Sequence, residues 1–174
     1  MKLSKKWKIG IGGFLALFII SSFIPDSEIE DGKEELTTQE VSVEDKKEPS
    51  LSKDELIKEL EFYETLFNNH IQGLDKIEQG NDILEMQNSF SLSKAASDSA
   101  FGKLFELAKE YNSSSNEYKA INELQTVFSS LENACDNGIK YLDKNEYKYY
   151  EKYEENLKQC GIFIERYNEA KDNI

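Results

Sequence analysis

From residue 52 onward, apolar side chains recur at alternating spacings of three and four, the stripe that faces a partner in a helical bundle. Leu56, Leu60, Tyr63, Phe67, His70, Leu74 and Ile77 form the first such stripe. Ser52-Lys53-Asp54-Glu55 ahead of it has the Ser-x-x-Glu form of a capping box, and Gly80-Asn81 punctuates its end. A second stripe runs through Ile83, Met86, Phe90, Ser93, Ser97, Ala100, Leu104, Leu107 and Tyr111. After the turn-forming cluster Asn112–Asn116, Ile121, Leu124, Phe128, Leu131, Cys135 and Leu142 mark a third, with a distortion expected at Asp136-Asn137-Gly138. Tyr150, Tyr153, Leu157, Cys160, Ile164 and Tyr167 mark a fourth, starting near Lys144. No alternating β-branched run interrupts them. The pattern predicts an all-α domain over residues 52–174: an antiparallel four-helix, coiled-coil-like bundle with up-down-up-down connections. Leu60, Phe67, Leu74, Leu104, Phe128, Leu131, Leu157 and Ile164 are its expected deepest side chains.

The start of the chain has a different pattern. Lys2, Lys5, Lys6 and Lys8 occupy residues 1–8, and residues 9–24, from Ile9 to Ile24, carry no charge before Pro25-Asp26. Sixteen helical residues span roughly 24 Å, slightly short of the ~30 Å hydrocarbon core, and Trp7 and a snorkelling Lys8 extend that reach. A signal peptide shares this layout but needs small residues at its cleavage site, which Ile20-Ser21-Ser22 matches poorly. No Cys lies near the end of the run, which excludes a lipoprotein anchor. The expectation is an uncleaved transmembrane signal anchor in the cell membrane. The lysines hold the N-terminus in the cytoplasm and the C-terminal domain is extracytoplasmic. Residues 25–51 carry ten acids against three bases with only scattered apolar side chains, the composition of a disordered acidic spacer.

Composition narrows the function. The 174 residues hold 34 Asp plus Glu against 21 Lys plus Arg, a net charge of −13, which argues against nucleic acid as a partner. The length excludes a large two-domain enzyme. His70 is the only histidine, and Phe67 stands three residues before it, so the Glu-x-x-His pairs of a di-iron bundle are missing. Cys135 and Cys160 fall about seven residues out of register if the last two helices fold back near Asp143–Asn145; buried thiols are expected ahead of a disulfide. Asp136-Asn137-Gly138 and Asp143–Glu146 are fragments of calcium loops without the full ligand series. Neither a phosphate-cradling loop nor a nucleophile elbow is present. The chain is therefore expected to be no enzyme and to need no cofactor or metal.

Two candidate binding regions remain. Tyr147, Lys148, Tyr149 and Lys152 interleave aromatic and basic residues at the start of the fourth helix, with Tyr147 and Tyr149 expected at the surface. Ser93, Ala96, Ser97 and Ala100, with His70, either let a helix approach closely or line a pocket. The leading expectation is an interaction module that binds another protein, of the envelope, a phage, a toxin or a secretion or conjugation assembly, with a homodimer as a further candidate. The alternative is an extracytoplasmic ligand-binding or sensor domain. In organisation alone, the Lys-rich start, single apolar span, acidic spacer and small helical domain resemble small surface-anchored proteins of Gram-positive bacteria.

Overall fold

In the computed structural model, which describes residues 49–78 and 82–174, four helices carry most of the described residues: α1 (Lys53–Glu78), α2 (Ile83–Ala108), α3 (Asn116–Lys144) and α4 (Tyr147–Lys171). The apolar run at residues 9–24 and residues 25–48 of the acidic spacer at 25–51 lie outside the described residues. Among the described residues, no helix is long and apolar enough to cross a membrane.

Local chemistry sets the ends. The Glu55 carboxylate accepts from both the backbone N–H and the hydroxyl of Ser52, at 2.9 and 2.6 Å, so the return arm of the capping box forms, while the Ser52 hydroxyl donates to that carboxylate. Asp82 caps α2 by accepting from the Leu84 and Glu85 amides, and Ser115 caps α3 by accepting from Tyr118. Asn145, at φ 54° and ψ 32°, is the left-handed residue that ends α3 and donates its N–H to the Tyr141 carbonyl. The last helix thus starts at Tyr147 rather than at Lys144.

Cross-helix pairs give the topology. Gln87 with Asp143 and Lys94 with Asp136 run in opposite directions along α2 and α3. Tyr141 with Tyr150, Cys160 with Val127, and Asn116 with Asn173 do the same for α3 and α4. Ser50 with Glu110 and His70 with Ser93 align α1 antiparallel to α2. Close backbone approach is concentrated between α3 and its neighbours α4 and α2, whereas α1 stands further off. Long side chains bridge that gap. Tyr63 and Phe67 of α1 meet the Phe128 ring edge-on at 6.1 and 6.3 Å, and Glu64 accepts from Lys171 of α4 at 2.5 Å.

Burial follows the four stripes with informative departures. Leu56, Leu60, Tyr63, Phe67 and Leu74 of α1 are buried, as are Met86, Phe90, Ser93, Ser97, Ala100 and Leu104 of α2. Ile83, Leu107, Tyr111 and Leu142 are only half-buried, and Ala108 takes the inward position at the end of α2. Leu157, expected among the deepest side chains, is also half-buried, while Tyr153 and Tyr167 fill the α4 seam almost completely. Large aromatic rings already occupy that side of the core. α3 runs unbroken through Asp136-Asn137-Gly138, without the expected distortion. It buries Ala120, Val127, Ala134 and Tyr141 in addition to its predicted stripe, because it has close neighbours on two sides.

Candidate functional site

At the turn between α3 and α4, the stretch that begins α4 divides between surface and interior. Tyr147 is 52% exposed, Lys148 and Lys152 are exposed, and Tyr149 is half-buried rather than fully at the surface. Lysines flank Tyr149 on both sides: the ammonium groups of Lys144 and Lys148 stand 5.1 and 4.9 Å from its ring centroid. Lys144 also donates to the Tyr149 hydroxyl at 3.3 Å, and that contact holds its phenol below the ordinary tyrosine range. Lys148 pairs with Glu146 at 2.5 Å. From Tyr147 a chain of rings leads inward: Tyr147 on Tyr150 at 5.6 Å, Tyr150 on Tyr153 at 6.3 Å, and Tyr153 on Phe90 at 5.4 Å. The inner rings are core packing, so Tyr147 and the Lys152 ammonium are the parts of this region most open to a partner.

The second candidate region lies between α1 and α2. Ser93, Ser97 and Ala100 are buried, Ala96 is half-buried, and His70 is half-buried with its Nδ1 2.9 Å from the Ser93 hydroxyl. The small residues do not draw α1 into the close approach seen around α3. The Ser97 hydroxyl is buried with no hydrogen-bond partner.

Burial pushes the His70 imidazole below its ordinary value. The folded state then binds its proton less readily than the unfolded chain, so the stability His70 confers is complete above about pH 6.5 and declines as the pH falls through that value. The denaturant midpoint is expected to drop between pH 7.5 and 5.5, and His70→Gln is expected to remove part of that drop. An equal drop in both proteins would assign the effect elsewhere.

Neither cysteine is in a disulfide, and both are buried. The Cys160 thiol donates to the Val127 carbonyl at 3.7 Å, two turns of α3 before Cys135, and burial pushes that thiol up, away from the thiolate a nucleophile needs. Among the described residues, no three His, Cys, Asp or Glu side chains converge to hold a metal ion.

One charged cluster was not anticipated. Asp136 accepts from Lys94 of α2 at 2.5 Å and from Lys140 one turn along α3, and these two contacts hold its carboxyl below the usual range. The Asp136–Lys140 spacing of four was visible in the sequence; the Lys94 arm depends on the α2/α3 register.

Comparison of the chain with protein-family models, with curated proteins and with solved structures finds no match.

Proposed function

We propose that this chain is a single-pass membrane-anchored interaction module, whose helical bundle stands outside the cytoplasmic membrane on an acidic spacer and binds another protein without catalysing a reaction. The observation that carries this reading is the uncharged run from Ile9 to Ile24 behind four lysines, followed at once by Pro25 and a strongly acidic stretch. The protected state of the side chains that acid-base or nucleophilic chemistry needs supports it as well. Cys160 is a buried neutral thiol, and Ser93, whose hydroxyl lies 2.9 Å from the His70 ring, is itself buried. Tyr147 and Lys152 are the first contacts to test for an envelope, phage, toxin or secretion-assembly partner.

Fractionation of expressing cells, followed by protease treatment of intact spheroplasts, tests the placement. The full-length chain is expected in the membrane fraction, with the bundle cleaved or released by external protease. A full-length soluble species, or a bundle protected from protease until the membrane is lysed, would reject it.

A second reading, ligand binding within the bundle, is favoured by one observation: the buried Ser97 hydroxyl without a partner. A ligand there would have to offer that hydroxyl a donor or acceptor while fitting between α1 and α2.

A further inference from the structure

Charge is unevenly spread over the four helices. Although 32% of the chain is charged, residues 65–74 of α1 and 86–93 of α2 carry none, and in the register fixed by His70 and Ser93 these stretches overlap, with residues 70–74 beside 89–93. On α2, Leu92, Ala96 and Ser99 continue a stripe at spacings of four and three that is distinct from the buried seam at Ser93, Ser97 and Ala100. Leu92 is 67% exposed, the largest value among the described large apolar residues, and Ser99 is exposed. Phe62 of α1, 59% exposed, falls beside the Ser99 end of this face in the same register.

The ends of the stripe are charged with opposite signs. Exposed Glu85 precedes Leu92 by seven residues, and exposed Lys103 follows Ser99 by four. Glu85 and Lys103 are thus eighteen residues, or five full turns, apart and occupy the same side of α2. A two-fold axis across α2 at the level of residue 94 places each Glu85 opposite the other copy's Lys103. The same axis places each Leu92 opposite the other copy's Ala96, a large side chain against a small one. One symmetry operation satisfies both pairings, as an isologous interface requires.

We propose that this face is a homodimer interface, in which α2 of one copy packs antiparallel against α2 of a second copy. Elsewhere two like copies of a net-acidic domain meet with repulsion, whereas this strip is neutral in its middle and complementary to itself at its ends. The proposal concerns the bundle surface alone and does not depend on the anchored-module reading.

The test uses the purified full chain in mild detergent, with Ala96→Cys as the site for a short thiol-specific cross-linker; the native cysteines are both buried. Dimer is expected at Ala96→Cys and not at Asn122→Cys, an exposed position on α3. Adding Glu85→Lys or Lys103→Glu singly sets like charges opposite each other twice per dimer, and the cross-linked fraction at limiting concentration is expected to fall roughly tenfold. Combining Glu85→Lys with Lys103→Glu restores both pairs with their signs exchanged and is expected to return cross-linking to within about twofold of the parent. Circular dichroism checks that each variant keeps its helix content; Glu85, Lys103 and Asn122 are at the surface and Ala96 is half-buried. Cross-linking at Asn122→Cys equal to that at Ala96→Cys, no dimer at Ala96→Cys, or a double variant as weak as the singles would each overturn the proposal.

Discussion

Phe128→Ala is expected to lower the unfolding free energy by about 3–5 kcal/mol, a large share of the roughly 5–15 kcal/mol available to a small domain. The ring is fully buried, and Tyr63 and Phe67 both meet it edge-on from α1. Truncation removes transfer energy and two aromatic contacts and leaves a void that a helix standing off from its neighbours fills only in part. Urea melts of the full chain in detergent, followed by circular dichroism, provide the measurement. Exposed Lys152→Ala is the control and is expected to stay within about 0.5 kcal/mol of the parent. Equal costs for the two substitutions would mean that α3 is rotated from the orientation described.

The second large effect is a change of sign. A Cβ at Gly138 would stand 2.9 to 3.1 Å from the Cζ and Cε atoms of Phe90, whose ring is itself fully buried against Tyr153. Glycine is therefore required here by the close approach of α2 rather than by backbone conformation. Gly138→Ala is expected to cost up to about 2 kcal/mol, because the overpacking penalty of roughly 1–3 kcal/mol is set against the ~1 kcal/mol that alanine gains in a helix interior. In a Phe90→Leu background the colliding ring atoms are gone, and Gly138→Ala is expected to become neutral or stabilising. A double-mutant cycle measures the coupling directly. Additive costs would place the α2/α3 contact elsewhere.

The four helices were legible in the sequence because each shows an apolar stripe at helical spacing between recognisable end signals. Glu55 returns its bond to the Ser52 amide as the capping-box pattern implies, and Asn145 supplies the left-handed end of α3. The breadth of α3 burial was not legible. Periodicity identifies one face of a helix, whereas Val127, Gln125 and Ser130 are buried by the second neighbour that tertiary packing brings. The same limit explains Leu157, which lies on the stripe but is only half-buried, because a place on the stripe does not by itself set depth. Gly138 suggested a break in the helix, and only the position of Phe90 reveals its part in packing. At the candidate sites, the division of Tyr147 from Tyr150 between surface and core followed from spacing. The flanking of Tyr149 by Lys144 and Lys148 followed from the turn geometry, which the sequence alone does not specify.

The way α1 is attached bears on how the bundle yields to mechanical load. Its bonds to the other helices are made largely at side-chain tips, by His70, Glu64, Tyr63 and Phe67, whereas α3 is in close backbone contact with both α2 and α4. α1 is also the helix through which the preceding 48 residues of chain enter the bundle. Tension applied from that side acts on the least tightly held element and peels it from its Ser52 end. The three-helix remainder meanwhile keeps its own interior contacts, such as Phe90 against Tyr153. If the chain is anchored as proposed, a pull from the N-terminal side is expected to detach α1 before α2, α3 and α4 are disturbed.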